Sequence, residues 1–244
     1  MMKCIKFSQR CFKEILRDPL NLVFGFGFPL ILVLLLNTIQ KNIPTSLFEL
    51  ENLTPGICVF GLSFMTLFSA TLIAKDRETA FLQRLYTTPL TSFDFIFGYM
   101  LAFLPIALIQ TLLCFIFAMI LGLNFRISIL WAIIGILPMA FFNIALGLLC
   151  GSIFNVKQVG GICGALLTNL SAWLSGVWFD LSLIGGIFEK IAHSLPFYHA
   201  VALEQALFHN HYENIFIHLL PICFFCIITF IFAIMIFLHQ SKKE

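Results

Sequence analysis

The chain has 244 residues, of which 60% are hydrophobic and 11% are charged, and its net charge at pH 7 is +2. Soluble domains carry about 25% charged residues, and a chain of this length cannot hide so much apolar surface by folding alone. This composition excludes an ordinary soluble domain and predicts a membrane protein.

The apolar residues form long runs. Such runs are typical of membrane-spanning helices, which satisfy their backbone hydrogen bonds internally, whereas a membrane barrel shows short alternating segments. A span needs roughly 20 apolar residues. We therefore predict an all-α membrane protein with one transmembrane domain over residues 1–244 and six spans, at residues 20–39, 53–74, 95–122, 128–154, 159–179 and 215–238. Pro105 and Pro138 favour a tilt or kink in the third and fourth spans.

An amphipathic helix is predicted over residues 3–17, before the first span. Its basic residues recur at spacings of three and four and so share one face: Lys3, Lys6, Arg10, Lys13 and Arg17. The opposite face is apolar and consists of Ile5, Cys11, Phe12, Ile15 and Leu16. This pattern predicts an interfacial helix whose apolar side lies in the lipid headgroup region. Both a basic anchor and a mechanical role are compatible with it.

The densest charge cluster lies between spans two and three, in the segment AKDRETAFLQRLYTTPLTSFDF at residues 74–95. A helix over residues 76–86 would gather Glu78, Phe81, Leu82, Leu85 and Tyr86 on one side. Thr88 and Pro89 suit the first positions of a new helix and would end this one. The segment therefore predicts a short amphipathic helix that a partner protein can bind. A positive anchor with a solvated face is the alternative.

Two further segments have distinct patterns. Residues 180–214 are half apolar but broken by glycine and proline, which predicts short helices dipping into the outer leaflet. Two pairs of glycines have the spacing that lets helices approach closely, Gly147 with Gly151 and Gly160 with Gly164. Packing within one subunit and contact with a second subunit are both compatible with this spacing.

Lysine and arginine predict the orientation. With the N-terminus in the cytoplasm, one side holds eleven of the 14 basic residues, and the other holds Lys41, Arg126 and Lys190. The positive-inside rule then predicts a multi-pass protein of the cell membrane with both termini in the cytoplasm, which requires an even number of spans. The eight cysteines lie in spans or in the cytoplasmic N-terminal segment, so we expect free thiols.

Several kinds of chemistry have no counterpart in the sequence. The predicted spans contain no Asp, Glu, Lys or Arg, and His218 is their single histidine, so no ion-driven transport site is recognisable. The sequence has no phosphate-binding loop and no hydrolase or metalloprotease motif. No cysteine lies near His209-Asn-His211 to complete a metal site, although a metal or pH site there stays an alternative. We predict that the chain is not an enzyme and binds no cofactor or metal itself.

Three segments resemble the permease subunits of ABC type-2 exporters. The segment DRETAFLQRLYTTPLTSFDFIFGYML matches the pattern that follows the second span in that family, at Asp76, Arg77, Glu78, Leu82, Arg84, Leu85, Thr88, Pro89, Leu90 and Gly98. Ala80 stands where glycine is usual, and Tyr99 stands where lysine is common. LRDPLNLVFGFGFPLILVL and LPFYHAVALEQALF are similar to the regions before the first and last spans.

The resemblance implies a half-transporter. It would pair with a second permease copy, as a homodimer or heterodimer, and with ATP-binding cassette ATPase subunits that bind ATP and Mg²⁺. The implied ATPase contacts are Lys6, Arg10, Lys13 and Arg17 on the interfacial helix, and Asp76, Arg77, Glu78, Phe81, Leu82, Arg84, Leu85, Thr88 and Pro89. Spans two and five would line the substrate path, on which we place Phe64, Asn169 and Trp173. We also expect contact with membrane lipid and none with nucleic acid.

The function predicted from these observations is outward transport of an amphiphilic, drug-like or lipid-like substrate, with energy from the separate ATPase. The alternative is a non-transporting membrane scaffold or an immunity or resistance subunit. Such a subunit would not need an amphipathic helix at residues 76–86.

Overall fold

The computed structural model describes residues 2–43, 48–79 and 92–241, and within these ranges the regular structure is helical. The α-helices of these ranges are α1 (Met2–Arg17), α2 (Pro19–Leu22), α3 (Phe28–Gln40), α4 (Leu50–Gly61), α5 (Ser63–Glu78), α6 (Ser92–Ile120), α7 (Ser128–Gly135), α8 (Leu137–Ile153), α9 (Val156–Val159), α10 (Thr168–Leu174), α11 (Gly186–Ser194), α12 (Pro196–Phe208) and α13 (Ile215–Ser241). Wider π-helical turns at Val23–Gly27 and Gly160–Leu167 join α2 to α3 and α9 to α10.

Five helical stretches of the described ranges are long and apolar enough to cross a membrane: Val23–Gln40, Leu50–Glu78, Asp94–Ile120, Ser128–Ile153 and Tyr212–Ile236. They correspond to the first, second, third, fourth and sixth predicted spans. The predicted fold class, an all-helical, multi-pass membrane protein, is therefore confirmed.

The predicted fifth span at residues 159–179 needs correction. The helical stretch begins at Val156 and ends at Leu174, and Gly176 follows with a φ of 75° that a helix does not allow. It is not among the five apolar stretches. Lys157, Gln158 and Asn169 lower its mean hydropathy.

Proline has different effects in the third and fourth predicted spans. The fourth is two helices that meet at Ile136, with Pro138 in the first turn of α8, as its position predicts. In contrast, α6 continues through Pro105 without interruption.

The described contacts define two ends of the helix bundle. Arg10 and Tyr99 both bond to Asp76, and Glu78 bonds to Val156, so these residues share one end, here called the basic end. At the other end, here called the loop end, Arg126 pairs with Glu51, and Gln205 and His209 bond to Asn52. Residues 156–174 accordingly run from the basic end to the loop end.

Helices α5 and α8 form the centre of the bundle and run parallel. Thr66 donates to Asn143, and further along both helices Arg77 donates to the carbonyl of Gly151. A Cβ atom on Gly151 would lie 2.5 Å from the Ala70 carbonyl oxygen, so glycine is needed for this close approach. Helix α13 also packs against α8.

The two glycine pairs therefore differ. Gly147 packs against Ser69 and Thr66 of α5, so Gly147 and Gly151 serve packing within one subunit, one of the two arrangements compatible with their spacing. A Cβ on Gly160 would meet nothing within 4 Å in the described chain, and one on Gly164 would meet only the side chain of Leu67.

The loop-end segment at residues 180–214 folds into the short helices that its pattern predicts, and α12 is the buried one. It packs against α4, α7 and α13. Glu204 of α12 is 1% exposed, and neither carboxyl oxygen has a hydrogen-bond partner among the described residues.

The outer faces of the helices expose large apolar side chains, including Ile31, Phe97, Ile109, Phe216 and Phe224. An exposed apolar surface of this kind is typical of membrane proteins.

Candidate functional site at the basic end

Helix α1 lies against the first turns of α6. The ring of Phe7 makes edge contacts with Phe95 and Tyr99, with centroid distances of 5.3 and 4.9 Å. The same ring lies directly on Gly98, where any Cβ would collide with it. The glycine of the family-like pattern is therefore the residue that lets α1 approach α6.

Asp76 is the centre of the site, and its side chain is almost fully buried. Its carboxylate accepts two hydrogen bonds from the Arg10 guanidinium, at 2.7 and 2.9 Å, and one from the Tyr99 hydroxyl at 2.7 Å. A buried carboxylate is costly unless charged and hydrogen-bonding partners compensate it, and a two-pronged arginine contact is a strong form of compensation. The three residues join α1, the end of α5 and the start of α6.

Two further ion pairs involve residues of the same helices as this contact. Arg10 also pairs with Glu14 at 2.6 Å, and Lys75 lies 3.6 Å from Asp18. Burial alone would lower the pKa of Arg10, but hydrogen bonds and charge from Asp76 outweigh it and raise that pKa. Burial raises the pKa of Cys11 to about 12, so its thiol stays protonated and unreactive near neutral pH.

Arg77 and Glu78 attach the end of α5 to the turn between α8 and α9. Arg77 donates to the carbonyl of Gly151 at 2.9 Å, in the last turn of α8, where helix carbonyls lack partners. Glu78 accepts from the backbone N–H of Val156 at 2.9 Å, at the start of α9. Asn155 and Gln158 complete that start with reciprocal side-chain caps.

These contacts correct the predicted helix at residues 76–86. Asp76, Arg77 and Glu78 continue α5, and Thr79 has an extended backbone with φ of −93° and ψ of 149°. The prediction of one helix through residues 76–86 is therefore wrong, because Asp76, Arg77 and Glu78 form the last turn of α5 and Thr79 leaves the helix. The remaining predicted ATPase contacts lie outside the described residues: Phe81, Leu82, Arg84, Leu85, Thr88 and Pro89.

The basic face of α1 is only partly free. Lys6, Lys13 and Arg17 are exposed and line, with Gln9, Arg10 and Glu14, a surface groove of about 450 Å³. The prediction that the apolar face meets headgroups is wrong for Cys11 and Ile15, which are buried within the protein. Ile5 and Leu16, each 41% exposed, are the members of that face that can meet lipid.

The predicted substrate-path residues have different surroundings. Phe64 is buried among aromatic rings, with Phe28, Phe60 and Phe68 at centroid distances of 5.5, 5.9 and 6.2 Å. Asn169 is exposed and donates to the Ala165 carbonyl, and Trp173 is 55% exposed. Their assignment to a path stays a prediction.

Three of the loop-end histidine rings, those of His199, His209 and His218, make hydrogen bonds. His199 Nε2 donates to the His193 carbonyl at 2.9 Å, so its Nδ1, 3.0 Å from His218 Nδ1, is the acceptor of that pair. His209 Nε2 donates to the Asn52 side-chain oxygen at 2.9 Å. Within the described ranges, no three His, Cys, Asp or Glu side chains converge as a metal site would require.

Sequence reasoning includes Arg10 in the site but not its partner, and it does not include Tyr99. The sequence shows Tyr99 only as a departure from lysine, whereas its hydroxyl donates to Asp76. The sequence pattern places Arg10 on a basic face, whereas its guanidinium donates to a carboxylate 66 residues away in the sequence. The signal in the sequence for this contact is an acidic residue, Asp76, at the end of an apolar span.

Comparison with known proteins gives the family. A sequence model described as ABC-2 type transporter matches residues 3–209. The chain is 30% identical over 122 residues to a protein of Cyanophora paradoxa named "Putative transport permease ycf38", covering 48% of this chain and 42% of that protein. A protein of the same name from Porphyra purpurea is 36% identical over 89 residues, covering 34% of this chain and 31% of that protein. The matched segments thus span less than half of either relative.

The family match extends from α1 to the end of α12 and includes every element of the basic-end site. This match over most of the chain shows that it belongs to the ABC-2 type transporter family, and its long apolar helices fit a multi-pass membrane protein.

Proposed function

We propose that the chain is the membrane-spanning subunit of an ATP-driven exporter, which moves an amphiphilic, drug-like or lipid-like substrate outward with energy from a separate ATPase subunit. The observation that most supports this proposal is the contact of Arg10 and Tyr99 with Asp76, which joins three helices at the basic end. A force applied to this end would move α1, α5 and α6 together, because the buried charge cannot lose its partners without a large penalty.

The site also has a surface on which a partner could act. Lys6, Lys13 and Arg17 are exposed on the helix that holds Arg10, so a partner with acidic residues would be attracted to α1. We assign the ATPase contact to this face and to residues 78–89, because Asp76 is buried and Arg77 is bonded to the Gly151 carbonyl. ATP and Mg²⁺ would be bound by the ATPase, and a second permease copy would complete the transporter.

The proposal includes six crossings with both termini in the cytoplasm. Residues 156–174 run between the two ends of the bundle and supply the sixth crossing, although their mean hydropathy is lower than that of the other five. Basic residues are concentrated at the end that carries α1, which the positive-inside rule assigns to the cytoplasm.

The test is co-purification with the ATPase. Charge reversal at Lys6, Lys13 and Arg17 together should weaken ATPase binding by at least about tenfold, since each lost charge contact removes part of the attraction. Reversal at Lys190, at the loop end, is the matched control and should leave binding unchanged. Equal co-purification of the triple variant and wild type would refute the assigned contact.

The direction of transport needs its own measurement. In inverted membrane vesicles that contain permease and ATPase, external ATP should drive uptake of a fluorescent lipophilic dye, because the cytoplasmic face is outward. An ATPase that binds the permease but drives no uptake of any amphiphile tested would favour the non-transporting scaffold.

A further inference from the structure

A pocket of about 350 Å³ lies at the loop end, outside the basic-end site. Its walls come from the turn after α10, from α11 and from α12. Its chemistry is mixed, with the carboxylates of Asp180 and Glu189 and the aromatic rings of Trp178, Phe179 and Tyr198. None of its described lining residues is lysine or arginine.

The walls are fixed by local structure. Asp180 caps the turn at Leu181–Leu183 by accepting from the Ser182 backbone N–H at 3.0 Å. These bonds from Ser182 lower the pKa of Asp180, so the carboxylate is charged at neutral pH. Trp178 is held by an edge contact with Phe60, with a centroid distance of 5.6 Å.

Tyr198 lines the same pocket as the two carboxylates. Burial, and then the charges of Asp180 and Glu189, raise the pKa of its phenol. His193 also lines the pocket and stacks on Tyr198, with the two ring centroids 4.0 Å apart. The pocket therefore combines negative charge with aromatic side chains.

This combination selects one ligand class. Two carboxylates repel anions, and a neutral apolar molecule gains nothing from their charge. A bare metal ion prefers several close oxygen or nitrogen ligands, and the described residues offer no such group. An organic cation with an apolar body satisfies both walls, because aromatic faces attract cations that are weakly hydrated.

We propose that this loop-end pocket is a binding site for a small organic cation of the quaternary ammonium type. Trp178, Phe179 and Tyr198 contact its alkyl groups, and Asp180 and Glu189 balance its charge. Binding requires neither ATP nor the ATPase, so the site stands independently of the export function proposed above.

The experiment measures equilibrium binding of choline to the purified permease in lipid nanodiscs, without nucleotide or ATPase. The comparison ligand is 3,3-dimethylbutan-1-ol, the neutral carbon analogue of choline. Choline should bind saturably. The neutral analogue should bind about 3- to 30-fold more weakly, because one cation–aromatic contact changes affinity by a factor in this range.

The variants test the two walls separately. Asp180→Asn keeps a side-chain oxygen that can accept from Ser182, and Glu189→Gln keeps the length of the side chain, so the double variant should fold. It should bind choline at least about tenfold more weakly, because both negative charges are lost. Trp178→Leu should weaken choline binding while leaving the acids in place. Glu213→Gln, on an exposed residue that does not line the pocket, is the control and should bind as wild type.

Absence of saturable choline binding would overturn the proposal, as would equal affinity for the neutral analogue or for the double variant. Because no ATPase is present, loss of coupling or export would leave these measurements unchanged. Conversely, a permease that exports normally but does not bind choline would contradict only this site.

Discussion

Asp76 shows how one buried charge can organise the end of a bundle. Its carboxylate accepts three hydrogen bonds from two residues on different helices. Tyr99 supplies one of them without adding charge, which suits a site where Arg10 already neutralises the carboxylate. The hydroxyl is therefore the element of the site that can be removed with the least disturbance to packing.

Tyr99→Phe should destabilise the permease by about 1.5–3 kcal/mol, the usual contribution of a hydrogen bond to a charged group. Thermal unfolding of the detergent-purified protein measures the change. Tyr212→Phe is the matched control, because the Tyr212 hydroxyl bonds to Asn210 at an exposed position. Equal melting temperatures for Tyr99→Phe and wild type would show that the hydroxyl does not stabilise the site.

Glu204 is the opposite case, a buried carboxyl group with no partner among the described residues. Burial raises its pKa well above the ordinary value, so the folded protein holds the proton after the unfolded chain has released it. The folded state then binds more protons than the unfolded state, and stability falls as pH rises above the unfolded pKa. The protonated form is the one that the fold accommodates.

Glu204→Gln should therefore reduce the loss of stability on going from about pH 5 to about pH 8, because glutamine is neutral throughout. Melting temperatures of wild type and variant across that range provide the measurement. Glu213→Gln, at an exposed position, should keep the wild-type pH profile. If wild type and Glu204→Gln show parallel profiles, Glu204 is not the source of the dependence.

At the scale of elements, the central feature is the close parallel contact of α5 and α8. Backbone atoms of Ala70 occupy the space beside Gly151, whereas Gly160 borders open space within the described chain. Two glycines with similar sequence context therefore have different structural importance.

Gly151→Ala should destabilise the fold by about 1–3 kcal/mol, since its Cβ would meet backbone atoms that cannot move aside. Gly160→Ala should be neutral or stabilising by about 0.5–1 kcal/mol, because alanine favours the helix. Thermal unfolding of both variants tests the pair. A Gly151→Ala protein as stable as wild type would mean that α5 and α8 are less closely packed than described.

At the scale of the whole molecule, the two ends differ in charge and in architecture. The basic end carries α1 and the Asp76 site, and the loop end carries α11 and α12. Because Lys157 and Lys190 are exposed at opposite ends, they can report the orientation in a membrane.

In a cysteine-free background, Lys190→Cys should react with an impermeant thiol reagent in intact cells, and Lys157→Cys should react only after the membrane is permeabilised. The positive-inside rule gives this expectation. Disrupted cells, in which both positions should react, provide the control. If Lys157→Cys reacted in intact cells and Lys190→Cys did not, the proposed orientation would be wrong.

The sequence alone determined the class of fold, the amphipathic α1 and the positions of most long helices. These features depend on local properties, namely the length of apolar runs, the period of a helix and the distribution of lysine and arginine. Tertiary structure decided where α5 ends, which partners Asp76 has and that Glu204 is buried. The physical reason is that helical periodicity does not distinguish a face that meets lipid from one that meets protein. The surroundings of a charge are set by residues distant in sequence, as Arg10 is from Asp76.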